Sequence, residues 1–404
     1  MLRSKKYLTP WSKPFSNLDT GQALAVALNN NMRILKMLAQ MRRYKKIAEH
    51  RSRSVVDKRK SKEASRLTLH YPAFGIGRPF RYILEKFTLH RALIPFTLLI
   101  IISLAFDFIN PGFLSAMNIG NMFPYISELG IIALGMTFLL TCGELDLSVG
   151  AVFGFCPIVL FIWYNDHVMG FEPAFILVLG IAALIGLTNG LLVTKLKIPS
   201  FLTTLGMMTA FQGIALYISH GFAQVTFLTE SPIKTLLVGT FEIGDFGLYA
   251  GTIWFIVLMG LMYFVLNDTK FGNWISGTGG NLQAARARGI HTDRVKIILF
   301  ILTAVLAAFA GVMDSIRVSS AWPTAGQGYE LEIIAMAVIG GTSLFGGRGS
   351  IIGTVLGVIL LRFISNGVIL AGLPGLSYRI FVGLTILIMM TIHVLMERKI
   401  RRES

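Results

Sequence analysis

Charge is what this sequence has little of. Only 14% of its 404 residues are Asp, Glu, Lys or Arg, where a soluble domain carries roughly a quarter. That shortage excludes an ordinary solvated surface over most of the chain. Cysteine is scarcer still. Cys142 and Cys156 both lie in apolar sequence, which leaves no disulfide framework and no Cys/His spacing for a metal. No G-x-x-x-x-G-K-[ST] stretch occurs, so the chain lacks the Gly-rich loop that cradles ATP phosphates. It is expected to hold no cofactor, to catalyse no reaction, and to leave any use of ATP to a partner. No apolar run near the start has the form of a cleavable leader.

Hydrophobicity is what is present. Apolar residues make up 54% of the chain and the mean hydropathy is +0.66. Windows near the ~20 residues needed to cross a bilayer recur along it. Ten can be read, at roughly 92–109, 122–141, 148–165, 173–194, 199–219, 249–267, 296–314, 330–346, 350–371 and 376–396. The expected fold is an all-α integral membrane protein, a polytopic helical bundle of about ten spans with broken or re-entrant Gly-rich joints. Residues 1–91 form a basic N-terminal extension, 92–396 the transmembrane domain and 397–404 a short basic C-terminus.

The formal net charge is +16, and residues 1–91 hold all of it, with 21 Lys/Arg against 5 Asp/Glu. Basic residues beside a first span set orientation and attract anionic lipid; the sequence offers no shaped basic surface for nucleic acid. Within the extension, Leu24, Leu28, Ile34, Leu35, Leu38 and Met41 allow an amphipathic basic helix on the membrane surface. Arg51–Arg66 has the composition of a solvated, disordered segment. A dispensable extension is the competing reading. If the N-terminus is cytoplasmic, Lys195, Lys197, Lys270, Arg286, Arg288, Arg294 and Arg348 all fall on inside loops, and the outside loops keep mainly Lys234 and Arg317. This pattern obeys the positive-inside rule and puts both termini in the cytoplasm. The long outside stretch 221–248 is too polar to span and is a candidate contact for an external partner.

Three stretches carry more than spanning requires. Thr141–Gly150, TCGELDLSVG, brings two carboxylates to a span edge. A charge at mid-bilayer costs at least ~2.5–3.5 kcal/mol, so Glu144 and Asp146 need water, a helix N-terminus or a basic partner. Asp146 with Ser148 reads as the cap of the third span. Gly340–Ser350 holds five glycines, Gly340, Gly341, Gly346, Gly347 and Gly349, with one arginine. Backbone of this kind is buried in protein or lines an aqueous cavity. Gly150/Gly154 and Gly349/Gly353 have the spacing of close helix packing. The third stretch, Gly279–Lys296, is GGNLQAARARGIHTDRVK. Asn281 can cap a short helix that Gly289 ends, with alanines small enough for a partner to approach. By composition alone a charged connecting loop is the better reading.

Taken together, these stretches resemble the membrane subunits of ATP-binding-cassette (ABC) sugar importers of the ribose, xylose and galactose type. That family's motifs resemble G-G-I-D-L-S-V-G, G-G-N-x-x-A-A-x-x-x-G-I-x-x-D-R-V-K and I-G-G-T-S-L-x-G-G-x-G-S-x-x-G-T. Here they stand as CGELDLSVGAVFG, GGNLQAARARGIHTDRVK and IGGTSLFGGRGSIIGTVLG, with NGLLVTKLKIPSFLTTLGMM and DTKFGNWI as further pieces. The likeness runs from about residue 92 to 396.

The resemblance implies two such subunits paired in a bacterial inner membrane, an extracytoplasmic sugar-binding protein outside and an ABC ATPase inside. By motif match, Asn281, Gln283, Ala284, Ala285 and Gly289 fall in the loop that contacts the ATPase. Gln283 replaces the usual glutamate of that loop, and Glu144 the usual isoleucine after two glycines. For the solute path, Glu144, Asp146, Ser148, Asn189, Gln212 and Asn366 are candidates, with Tyr217, Thr203 and Thr204 as further polar groups in or near spans. The alternatives are a related permease for a branched-chain amino acid, nucleoside or furanose signal, and an ion-coupled transporter using Glu128, Glu144 or Asp146.

Overall fold

The computed structural model describes residues 93–226, 232–243, 246–388 and 391. The amphipathic and disordered segments expected in residues 1–91, and the basic C-terminus, lie outside these. From the first described residue the chain is helical wherever the sequence is apolar: α1 (Leu93–Ile109), α2 (Ala116–Thr141), α3 (Val149–Asn165), α4 (Phe171–Thr194) and α5 (Ser200–Ile218). After a short strand β1 (Gln224–Val225) come α6 (Pro232–Val238), β2 (Thr240–Ile243), β3 (Phe246–Tyr249) and α7 (Ala250–Asp268). Then follow α8 (Lys270–Gly280), α9 (Leu282–Ala287), α10 (Thr292–Arg317), β4 (Ser320–Ala321), α11 (Tyr329–Ile339), α12 (Ile351–Leu370) and α13 (Tyr378–Ile388).

Six of these, α2, α4, α5, α7, α10 and α12, are long and apolar enough to cross a membrane, and α1, α3 and α13 are shorter apolar helices. The chain is an all-α membrane protein in architecture, with two small antiparallel ladders, β1 on β4 and β2 on β3, as its strand content among the described residues. One expected span needs correction. The stretch 330–346 is not one helix: it is the 11-residue α11, and the chain leaves helical geometry at Gly340. Gly341, Gly346 and Gly347 all take positive φ there, a backbone that disfavours any side chain.

Packing centres on α2 and α10. The second half of α2, from Ile126 to Thr141, is buried almost completely. Small residues set the approach distances: a Cβ at Gly186 of α4 would stand 2.5 Å from Phe300 O of α10, and one at Gly311 of α10 would stand 2.1 Å from Phe153 O of α3. Contacts this close replace apolar side-chain volume with van der Waals packing of backbone, the main attraction between helices in lipid. Some buried hydroxyls bond across helices, as where Thr137 of α2 meets Thr354 of α12 at 2.7 Å.

The helix ends define two sides. On one, α2, α4 and α7 end while α5, α10 and α12 begin, and all three motif stretches gather there. On the other, Asn110 Nδ2 donates to Leu370 O at 3.1 Å and Asn165 Nδ2 to Val225 O at 3.1 Å, tying the opposite ends together.

Candidate functional site at a three-way glycine junction

The three motif stretches, separated by up to two hundred residues, meet backbone to backbone. Gly347 N–H donates to Thr141 O at 2.8 Å. A Cβ added at Gly279 would lie 2.0 Å from Thr141 O and 2.7 Å from Gly347 N, and one at Gly346 would lie 2.8 Å from Gly279 O and 2.9 Å from Gly143 Cα. Gly347 approaches Gly280 Cα equally closely, and Gly349 abuts the Thr141 hydroxyl. One turn further on, Gly340 and Gly353 are in contact through their backbones. The glycines read from sequence as a broken or re-entrant joint thus form a tight one, where Gly279, Gly346, Gly347 and Gly349 leave no space for a Cβ.

From this junction projects α9. Asn281 Oδ1 accepts from Ala284 N–H at 2.9 Å and caps the helix. At the other end Gly289, with φ +83°, closes it: Gly289 N–H donates to Arg286 O and Ile290 N–H to Ala285 O, the paired bonds of a Schellman stop. Both ends of the six-residue helix are thereby fixed. Gln283 and Ala284 face outward, whereas Ala285 is buried. Of the two alanines expected to meet a partner, one packs into the protein's own core. Arg286 is also engaged within the chain. Its Nε donates to Thr292 Oγ1 at 3.0 Å and its guanidinium pairs with Asp293 at 2.8 Å.

The carboxylates of the first motif have separate fates. Glu144 is paired with Lys296, the last residue of the third motif, with both side chains mostly buried. This ion pair ties the end of α2 to the start of α10. Asp146 is fully buried; its Oδ1 accepts from Ser148 N–H at 2.8 Å and from Ser148 Oγ at 2.6 Å. Asn189 Nδ2 in turn donates to Ser148 Oγ at 2.9 Å, so the triad joins the start of α3 to α4. Asp146 bonds backbone beside the helix as expected, although Ser148 is the residue in the cap position and its own side chain caps nothing.

The remaining sequence candidates are scattered. Gln212 and Tyr217 lie on α5, the least buried of the long helices. Thr203 and Thr204 are buried near its start. Asn366 donates to Asn118 Oδ1 at 3.0 Å on the opposite side of the molecule. A cavity of about 970 Å³ opens beside α9, lined by Lys195, Lys197, Arg286, His291, Arg294 and Lys296 among others. The sequence signal for it was the run of basics in two loops that only the fold brings together.

Sequence reasoning missed a second charged cluster, on the side away from the junction. Arg317, at the end of α10, donates to both oxygens of Glu128 of α2 at 2.7 and 2.9 Å, pairs with Asp314 at 2.6 Å, and lies 4.6 Å over the Tyr125 ring. Tyr249 OH donates to Glu128 at 3.3 Å. Arg317 had been counted as a loop cation. In the fold it neutralises a carboxylate that burial would otherwise make costly.

Residues 118–390, which include all three motif stretches, match a known protein family. The model for "Branched-chain amino acid transport system / permease component" covers residues 118–390. The chain belongs to this permease family. It is 37% identical over 306 residues to the xylose/arabinose import permease protein XylH of Sulfolobus acidocaldarius, covering 74% of this chain and 83% of that one. The ribose import permease protein RbsC of Bacillus subtilis is 36% identical over 307 residues, covering 76% and 92%. The fructose import permease protein FrcC of Rhizobium meliloti is 31% identical over 306 residues, covering 74% and 84%. No solved structure matches. This permease is accordingly a multi-pass membrane transport subunit and not an enzyme.

Proposed function

We propose that the chain is the membrane-spanning subunit of an ABC importer, passing a monosaccharide delivered by an external binding protein and driven by a separate ATPase. The observation that carries this reading is α9, a helix capped at both ends and seated on a junction too tight to flex. Force applied to it is delivered to α2, α10 and the α11–α12 connection together. The relatives named for xylose/arabinose, ribose and fructose import favour a monosaccharide. The wording of the family model keeps a branched-chain amino acid as the second reading.

In this reading the junction side is cytoplasmic, as the basic loops argue, and the membrane is the bacterial inner membrane with both termini inside. The chain crosses about ten times, counting the shorter helices. A second copy completes the pathway, and ATP is bound by the ATPase alone. Gln283 and Ala284 meet the ATPase, while Asn281 and Gly289 hold their helix in shape. Glu144 serves the junction through Lys296. Ion coupling through Glu128 or Glu144 is disfavoured, because both are already committed to cations in the chain.

The test is reconstitution of the permease with its ATPase and binding protein in liposomes, with labelled ribose, xylose, fructose and leucine supplied in turn. Uptake of a monosaccharide that requires ATP and survives an uncoupler is the expected result. Uptake that ignores ATP and collapses with the uncoupler would overturn the reading.

A further inference from the structure

Between β4 and α11 the chain does something no sequence motif announced. Residues 322–328 run down the side of α3 as a series of turns, with Ala325 N–H donating to Trp322 O and Gln327 N–H to Thr324 O. The segment starts where β4 pairs with β1, near the Asn165 end of α3. It reaches Gly154, where a Cβ would stand 2.5 Å from Ala325 O, and then Gly150, 2.4 Å by the same measure from Gly326 O. Gly150 and Gly154 lie eleven or more residues from Asn165 along the helix, so the far end of the segment sits well inside the length of α3. At the bottom Gly326 and Gly328 turn the chain with positive φ, and α11 carries it on to Gly340.

Non-helical backbone at this depth has to be buried in protein or face water, since lipid tails offer no hydrogen-bond partner. Here Pro323 and Gly326 are buried, but one face of the segment is left uncovered by the described residues. Trp322 is 57% exposed, and Thr324 and Gln327 are exposed as well. Among the described residues the Thr324 amide donates to nothing. The face presented is thus an indole, a hydroxyl, a carboxamide and an unused N–H. An aromatic plane with neutral donors and acceptors is the chemistry that suits a polyhydroxylated, uncharged solute.

We infer that Trp322, Thr324 and Gln327 line the aqueous solute path and make its contacts with the sugar. The inference rests on the permease reading above and extends it to named residues that neither motif nor span assignment singled out. It also explains why α11 is short. The same stretch of chain has the path at one end, Trp322, and the junction at the other, Gly346 and Gly347 against Gly279 and Gly280. A shift of α9 can therefore reach the path along α11, a half-helix anchored to α12 by the Glu332–Arg362 pair and to α13 by Tyr378 OH donating to Glu332 at 2.7 Å.

The experiment uses the full permease–ATPase assembly with Cys142→Ala and Cys156→Ala as background. Thr324→Cys and Gln327→Cys are introduced separately, with Ile256→Cys, exposed on α7, as the lipid-facing control. A charged, membrane-impermeant methanethiosulfonate is expected to modify both path cysteines at least about tenfold faster than the control, since only water carries it to that depth. Modification is expected to stop uptake. Labelling no faster than at Ile256→Cys, or a cysteine that is unlabelled yet cross-links quantitatively to its counterpart in the second copy, would show a dry interface and overturn the inference. Uptake before labelling separates the two claims. Import of ribose, xylose or fructose driven by ATP sustains the importer reading whatever the labelling shows, and its absence from a stable assembly defeats that reading while the labelling still decides the path.

Discussion

The permease has two places where the chain leaves helical geometry between apolar helices, and they are built in opposite ways. At the junction, Gly279, Gly346 and Gly347 press backbone on backbone with no room for a methyl group. Along residues 322–328 one face of the segment packs on α3 through Ala325 and Gly326, and the other leaves Trp322, Thr324 and Gln327 exposed. Both satisfy the rule that irregular backbone in a membrane must be shielded or wet, the first by shielding and the second by exposure. The difference teaches what each is for. A closed joint transmits displacement because it cannot absorb it, while an open one presents groups to something that passes.

Four changes test that contrast. The largest effect is expected at the ion pair that braces the closed joint: Lys296→Met strands Glu144 in a mostly buried site and costs about 3–5 kcal/mol, whereas adding Glu144→Leu to it recovers most of the loss. Thermal unfolding of the detergent-solubilised permease reads both, and equal stability of the single and double variants would remove the bracing role. Next comes Gly279→Val, expected to cost about 3 kcal/mol because the obstruction is backbone and cannot rotate away. Its melting curve and ATP-driven uptake should both fall.

Ala284→Glu leaves folding unchanged, since the side chain points outward, but should weaken ATPase association by about tenfold, equivalent to ~1.4 kcal/mol. Co-purification with the ATPase measures it. Ala285→Glu would instead damage folding, which separates the two faces of α9. The last change is at the open joint. Thr324→Val should alter stability by no more than about 0.5 kcal/mol while lowering uptake. A melting loss as large as that of Gly279→Val would erase the distinction between the two joints.

Much of this was legible before any coordinates. Helices fall where the apolar windows fall, because a bilayer leaves the backbone no better way to satisfy its hydrogen bonds. The capping of α9 by Asn281 and its termination at Gly289 were readable for the same local reason: both depend on bonds within a few residues. Other assignments were not within reach. Composition made 330–346 a span, yet α11 stops at Gly340: Gly341, with positive φ, donates to Val338 O and Thr342 N–H to Ala337 O, and Gly353 of α12 packs against that last turn. Arg317 looked like a loop cation until Glu128, 189 residues away, was found beside it.

The sequence by itself determined that this is a helical membrane protein with a short capped helix held between spans, since apolar length, capping residues and the lack of a nucleotide loop are local properties. Tertiary structure alone decided that three glycine motifs are one object, that Glu144 belongs to Lys296, and that a polar, non-helical segment descends beside α3. Each of those facts concerns how close distant backbones come. That distance is set by the shapes of packed helices, which no single stretch of sequence contains.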